Sequence, residues 1–423
     1  MPVPLVSQVF RDGIESVPFL ATALKVIAVL TFLYFAKSYF QGSSNRSERN
    51  MHGKVILVTG GTSGIGAEVV RGLASRGAQI VLLTQHPVGD LFLVEYIEDL
   101  RTQTGNQLIT AEQVDLASLH SIRTFATKWI DNAPPRRLDM IILCASTLTP
   151  KGKTLQSTED GVESNWGVNY LANFHLLSIL SPALRAQPPD RDVRVIMGTC
   201  VSYLGGELPA QSQKEAEGEH HKKASAPDST VAPASAFSPA AAHASSKLAL
   251  MTFAQAFQKH LASYARPDKQ PMNTRVLLVD PGFSRTPGMR RYLSWGSLIG
   301  LALYLIMYPF WWLVLKSPEM GAETFLYAAM EAQYGRGEGG WLLKECREVK
   351  LSREDIKDEA AQKALWEYSE SVVQEAEKRG AKARAESKKD ESKKTPEASE
   401  KAANKQKSTT AKHSSSKKGR KTG

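Results

Sequence analysis

The run Thr59-Gly60-Gly61-Thr62-Ser63-Gly64-Ile65-Gly66 sits between an apolar stretch, Val55–Val58, and a segment with Val69, Val70, Leu73 and Ala74 at helical spacing. Glycines let a backbone come close to a bulky anion. A helix that starts beside them offers unbonded N–H groups and the positive end of its dipole. The ligand that suits such a turn is a pyrophosphate. A second apolar run begins at Gln79, so strand, glycine turn, helix and strand follow within about thirty residues, the context in which the motif carries meaning. Gly60, Thr62, Ser63, Gly64, Ile65 and Gly66 are the candidate phosphate-binding residues. The end of the second strand is where a dinucleotide's ribose is read: an acidic residue there suits a free 2′-hydroxyl, an arginine a 2′-phosphate. Leu83-Thr84-Gln85-His86 has neither. Gln85 is the candidate contact, and the lack of a carboxylate to repel a phosphate favours NADP(H) while leaving NAD(H) open.

Other chemistries find little support. Cys144, Cys200 and Cys346 are the three cysteines, and none forms a C-x-x-C pair. That argues against a disulfide framework and against a metal site, and it fits a reducing, cytosol-facing environment. The formal net charge is +10, which could point to nucleic acid. From Ala381 to Gly423, however, there are 14 Lys+Arg against 5 Asp+Glu, a surplus of 9 in the tail alone. The charge belongs to an appendage, so no specific nucleic-acid partner is expected.

The elements that must position these residues read as one α/β domain. The chain has 423 residues, 42% hydrophobic and 23% charged, enough for a domain of roughly 250–300 residues plus additions. Val55–Val58, Gln79–Leu83, Met140–Leu143, Val193–Met197 and Arg275–Val279 are short runs rich in Val, Ile and Leu without strict alternation. Such strands belong in a parallel sheet covered on both faces, here a doubly wound Rossmann arrangement over residues 49–378. Gly206 to Ser238 is polar and poor in large apolar residues, and it is expected to be a disordered loop. The Lys-rich segment 379–423 is expected to be disordered as well, with anionic lipid contact or plain solvation as its two readings.

Two segments look toward a membrane. Val17–Ala36 is apolar except for Lys25 and long enough to cross a bilayer core. A retained anchor within residues 1–48 is expected, with a helix lying on the surface as the alternative. Lys37, Arg46, Arg49 and Lys54 follow it while Arg11 precedes it, which places the main domain in the cytosol. Leu293–Leu315 carries no charged residue but contains Gly296, Gly300 and Pro309, which disfavour a straight helix. A single crossing would strand Pro318–Met330 and Trp341–Val373, both with the look of helical domain sequence, on the far side. A re-entrant or monotopic helical pair is therefore preferred to a second span.

Taken together these segments resemble the short-chain dehydrogenases/reductases, in their retinol-dehydrogenase-like branch, with membrane-bound fungal oxidoreductases the nearest in look. Thr59–Gly66 is similar to that family's cofactor turn. Val114-Asp115-Leu116-Ala117-Ser118-Leu119 resembles its adenine-contacting segment, Gly167-Val168-Asn169-Tyr170-Leu171 its active-site Asn segment, and Asp280-Pro281-Gly282-Phe283-Ser284-Arg285-Thr286 the segment that closes over the nicotinamide end. Lys316–Glu323 and Asp358–Val372 resemble the branch's late helices. The resemblance implies an alcohol–carbonyl oxidoreductase, with Asp115, Leu116, Ala145, Lys247, Pro281, Gly282 and Thr286 added to the cofactor contacts. It also implies Asn169, Cys200, His243 and Lys247 at the catalytic positions.

The departures bear on the chemistry. Leu143-Cys144-Ala145-Ser146 stands where the family has N-N-A-G, Cys200 where it has the catalytic Ser (with Thr199 adjacent), and His243-Ala244-Ser245-Ser246-Lys247 where it has Y-x-x-x-K. The family's Tyr carries the proton at the substrate oxygen, and Lys lowers its pKa. An imidazole titrates near ~6.5 against ~10 for a phenol, so proton transfer by His243 is chemically open, with Lys247 lowering its pKa. The resemblance implies a membrane-bound NAD(P)-dependent oxidoreductase on a lipid-like substrate, at a cytosol-facing membrane such as the endoplasmic reticulum. The alternative is a dinucleotide-binding scaffold or sensor that has lost its proton donor. A nucleophilic Cys–His pair is a third, minor reading.

Overall fold

The computed structural model describes residues 20–209, 238–382 and 384–385. Its centre is an eight-stranded sheet of order β3-β2-β1-β4-β5-β6-β7-β8. The strands are β1 Val55–Thr59, β2 Gln79–Thr84, β3 Ile109–Gln113, β4 Met140–Leu143, β5 Val193–Gly198, β6 Thr274–Asp280, β7 Trp341–Lys344 and β8 Arg347–Val349. All neighbours pair in parallel except β7 with β8. The order reverses between β1 and β4, so the connections leave in opposite directions there and open a crevice at the carboxyl ends of the strands. Strands β1 and β4 are buried along their whole length, which explains why their sequences run apolar without alternation.

The apolar N-terminal run lies in α1, Leu20–Gln41, whose described part is exposed and is of a length and composition that can cross a bilayer. Residues 42–49 then run down the domain as a strap. Ser43 N donates to Glu345, Asn45 N to Glu323, and Arg49 pairs with Asp192.

Helices cover both faces of the sheet. One layer holds α2 Gly64–Ala74 and α3 Leu91–Thr104, together with the late α10 Pro318–Met330; the other holds α4 Leu119–Ile130, α5 Ala172–Arg185 and α6 Pro239–Ala262. Each layer closes its own core. Val69, Val70 and Leu73 of α2 pack with Ile56, Val58 and Phe325 on the first face, and Phe174, Leu177, Phe253 and Phe257 pack with Leu57, Ile141 and Val195 on the second. A final helix over residues 359–382 lies on the second layer. Its Trp366 meets Phe174 and Phe253, and Tyr170 Oη and Ser369 Oγ share a 2.5 Å hydrogen bond.

The second apolar run is neither one span nor one core helix. After α7, Pro287–Leu293, come two short helices, α8 Leu298–Ile306 and α9 Tyr308–Val314. At about 1.5 Å per residue neither reaches across a bilayer. Pro309, in the first turn of α9, has no N–H to extend α8, so the chain breaks there.

The structure corrects three expectations. Trp341–Val373 is not helical throughout: it begins with β7 and β8, and its helix starts only at residue 359. Trp341-Leu342-Leu343-Lys344 is too short to show a period, and its pairing to β6 decides the matter. A further strand, β3 at Ile109–Gln113, carries no apolar run to announce it, because only Ile109 in it is buried. The polar loop is also narrower than Gly206–Ser238. Leu208 is buried, Gly206 O accepts from Arg353, and Ser238 caps α6 by accepting from Ala241 N. The loop expectation over 210–237 and most of the tail expectation over 379–423 lie outside the described residues.

Candidate active site

Every candidate site residue lies at or just beyond the carboxyl edge of the sheet. The glycine turn leaves β1 at Thr59. Gly60 has φ +67°, and a side chain on it would strike the backbone of Ala145 at the end of β4; Gly64, with φ +57°, lies against the Thr286 methyl. These positions admit glycine and little else, because the two loops meet there. Ser63 precedes α2 in extended conformation and makes no side-chain cap. The first amides of α2 have no partner within the helix, so the turn presents free N–H donors beside small residues. That is a cradle fit for a phosphate. Among the described residues, two buried hydroxyls near this edge, Thr199 Oγ1 and Ser284 Oγ, have no hydrogen-bond partner.

Around the cradle, Gln85 is exposed at the end of β2. Asp115 follows β3 and accepts from Ala117 N at 2.8 Å, with Leu116 beside it. Ala145 N donates to Thr59 Oγ1 at 3.3 Å. Pro281 and Gly282 follow β6; Gly282 N donates to Asp280 Oδ1 at 3.0 Å, and Thr286 caps α7 by accepting from Met289 N. At the end of β2, His86 lies 3.0 Å from Asp90, the acceptor that caps α3.

The four catalytic candidates come together from three separated stretches of chain. Asn169 projects from a π-turn, Gly167–Leu171, that precedes α5. Its Oδ1 accepts from Thr147 N at 2.7 Å, and its Nδ2 donates to Thr147 O at 2.9 Å and Ser246 Oγ at 3.2 Å. Both His243 and Lys247 are on α6, one turn apart. Lys247 is buried and its ammonium donates to Gly198 O at 3.0 Å. His243 Nδ1 is 3.2 Å from Thr147 O, and Nε2 is 3.5 Å from Cys200 Sγ. Asn169 Nδ2, a donor, lies 3.3 Å from the same Nδ1. The Thr147 carbonyl, which only accepts, is bonded when Nδ1 carries the ring hydrogen, and in that tautomer Nε2 is the proton acceptor beside Cys200.

Electrostatics follows from that packing. Burial first, and the Lys247 charge second, push the His243 pKa down to about 4, against the opposing pull of the Thr147 carbonyl. The imidazole is therefore neutral at pH 7. Lys247 does lower this pKa, as its place in the sequence implies, but burial is the larger cause. Burial also lowers the Lys247 pKa, while Cys200 and Cys144 act the other way. The Cys144 thiol is pushed up to about 12 by burial, so it is a poor nucleophile.

Sequence reasoning missed Ser202, Ser246 and the Thr147 peptide. Ser202 Oγ is 2.9 Å from Cys200 Sγ, and a serine two residues past a cysteine in the serine's place is a legible signal. Thr147 acts through its backbone, which residue type cannot announce. A cavity of about 1330 Å³ lies elsewhere, between the strap 43–49 and the starts of β5 and β6, and it is lined by none of these groups.

A doubly wound parallel sheet with an uncapped glycine turn at its carboxyl edge and a buried lysine beside it defines a nicotinamide-dependent oxidoreductase. The short chain dehydrogenase family model matches residues 54–196. The chain is 40% identical over 391 residues to the uncharacterized oxidoreductase pbr1 of Schizosaccharomyces pombe, covering 92% of this chain and 100% of that one. It is 33% identical over 316 residues to polyprenol dehydrogenase of Mus musculus, covering 74% and 82%. It is 28% identical over 345 residues to retinol dehydrogenase 13 of Mus musculus, covering 80% and 89%. An uncharacterized protein from Mycobacterium paratuberculosis shares the fold at TM-score 0.52 and 22% identity, covering 79% of this chain and 98% of that one. The chain belongs to the short-chain dehydrogenase/reductase family, in the branch that includes the retinol and polyprenol dehydrogenases.

Proposed function

We propose that this chain is a membrane-bound NAD(P)-dependent oxidoreductase that interconverts an alcohol and a carbonyl on a lipid-like substrate, with His243 as the proton carrier. The observation that carries the reading is the convergence of His243, Cys200, Asn169 and Lys247, with His243 Nε2 3.5 Å from Cys200 Sγ, Nδ1 3.3 Å from Asn169 Nδ2, and the Lys247 ammonium on Gly198 O. Gly60, Thr62, Ser63, Gly64, Ile65 and Gly66 would hold the pyrophosphate, and Gln85 the ribose of NADP(H) in preference to NAD(H). Asp115 and Leu116 would hold the adenine. Ala145, Lys247, Pro281, Gly282 and Thr286 would line the nicotinamide end. When bound, the cofactor exchanges the hydride.

What the protein itself supplies is one proton and its placement. During oxidation, His243 Nε2 accepts the proton of the substrate hydroxyl. Nδ1–H, bonded to the Thr147 carbonyl, keeps the ring oriented. Cys200 is a weaker donor than the serine it replaces; with Ser202 and Thr199 it supplies hydrogen bonds around the substrate oxygen.

The lipid-like substrate rests on two supports. Relatives are named for retinol and polyprenol, both isoprenoid alcohols. In addition, α8 and α9 expose Leu298, Ile299, Leu305, Ile306, Phe310 and Trp312 next to the carboxyl edge. An exposed apolar patch of this kind marks membrane contact. With α1 as anchor, the pair forms a lid lying in the bilayer surface, the domain faces the cytosol, and the endoplasmic reticulum is the expected membrane. The experiment is a fluorescence titration of the full chain in detergent with NADPH and NADH, followed by turnover of long isoprenoid alcohols. Micromolar binding and turnover that falls about 100-fold or more in His243→Ala support the proposal. Binding without turnover of any alcohol or carbonyl leaves the scaffold reading, and no binding of either cofactor refutes both.

A further inference from the structure

The loop that meets the glycine turn is joined to the strap after α1 through an ion pair between buried Lys316 and half-buried Glu345. Residues 281–286 leave β6 and lie on the turn, where Gly64 faces the Thr286 methyl and Ile65 and Ser284 both lie against Gly321. This loop is stapled to the end of the lid. Lys316 N donates to Phe283 O, and Arg285 N donates to Lys316 O, both at 2.9 Å, in a strand-like bridge between Ser284 and Lys316. The Lys316 side chain is buried, and its ammonium bonds Glu345 Oε1. It also lies under Gly282, whose φ of +73° and tight clearance fix the turn.

Glu345 sits at the β7–β8 turn and faces the other way as well. Its Oε2 accepts from Ser43 N at 3.0 Å, in the strap two residues past α1. Burial would raise the Glu345 pKa, but Lys316 and the Ser43 amide hold it below the usual carboxylate range. Gly42 has φ +79° and no room for a side chain against this pair. From the other side, Lys37 of α1 donates to Trp312 O of α9 at 2.6 Å. α1, the strap, α9 and the 281–286 loop are therefore linked by neighbouring, part-buried contacts.

We infer that Lys316 and Glu345 are positioning residues for the cofactor loop, coupling the seating of the strap after α1 to cofactor affinity. The inference rests on the cofactor reading above. The pair suits this role because removing either partner leaves the other's charge in a largely desolvated place without its counter-ion. Linkage makes the coupling reciprocal, so bound cofactor tightens the strap as much as the seated strap tightens cofactor.

The test uses the full chain in detergent or nanodiscs. NADPH and NADH are titrated by fluorescence against wild type, Lys316→Gln, Glu345→Gln and Lys316→Arg, with melting temperatures recorded for each. The expected result is cofactor affinity about five-fold or more weaker in the two Gln variants and largely restored in Lys316→Arg. Folded Gln variants with wild-type affinity overturn the inference. Should both fail to fold, hydrogen exchange in the wild type decides: the Ser43 and Asn45 amides should slow when cofactor is added. Strap amides indifferent to cofactor overturn the inference. If wild type binds neither cofactor, the cofactor reading fails first and this inference falls with it.

Discussion

At residue scale, His243 is the group on which the chemistry turns, and its pKa of about 4 makes two predictions. A base must be unprotonated, so alcohol oxidation should rise with pH through about 4 and then level off. Reduction, which needs the proton, should decline above it. A pH–rate profile of kcat/KM in both directions checks this; an oxidation limb near the phenolic range instead would assign the proton to another group. The second prediction concerns stability. The folded-state pKa is depressed from the ordinary value of 6.5, so between those values the unfolded chain binds more protons than the folded one. Stability is then whole above pH ~6.5 and is lost as pH falls toward about 4. His175, pushed down to about 4 first by burial and then by Arg123, adds to the same slope. Urea midpoints measured from pH 7 to 5 should fall less steeply in His243→Gln than in wild type. An unchanged slope would mean His243 is not buried neutral.

At the scale of elements, the π-turn and α6 hold the site, and the final helix holds them. Asn169 and Tyr170 are neighbours that point to opposite sides, Asn169 to His243 and Tyr170 to Ser369 of the final helix. Phe253 of α6, 1% exposed, packs its ring against those of Tyr170, Phe174, Phe257 and Trp366. Truncating it removes the shared wall of α5, α6 and that helix. Phe253→Ala should cost about 3–5 kcal/mol in urea denaturation, with faster hydrogen exchange in residues 359–382. A loss below about 1 kcal/mol would mean the final helix is not part of the cooperative core. Local sequence makes α6 legible only from Leu248 onward, because Pro239–Ser246 has no large apolar residue to show a helical period. The capping Ser238 and the proline after it extend the helix back through His243.

For the whole molecule, the strap decides where the exposed apolar helix α1 ends and the packed domain begins. Residues 43–49 bond to Glu345, Glu323, Glu331 and Asp192, so a cut after Gln41 keeps those bonds and a cut after Glu48 removes all but the last. Deletion of residues 1–41 should leave the domain folded, with membrane flotation weakened. Deletion of residues 1–48 should lower the melting temperature by several degrees more, since each lost hydrogen bond is worth about 1 kcal/mol. Full flotation of the shorter deletion would assign the main attachment to α8 and α9.

The sequence by itself determined the parts that are local: the glycine turn at Thr59–Gly66, the buried strands β1, β2, β4, β5 and β6, and the break at Pro309. Each depends on composition within one element, where apolar runs must be buried and glycine alone tolerates a positive φ. Resemblance, more than spacing, brought Asn169, Cys200, His243 and Lys247 to notice. Only the tertiary structure decided that β7 is a strand, that Thr147 offers its peptide to both Asn169 and His243, and that Glu345 closes on Lys316 across 29 residues. Those outcomes depend on what lies opposite a residue across the sheet or between loops. A strand's pairing partner and a side chain's desolvation are properties of the packed whole, and they also hold the His243 imidazole neutral.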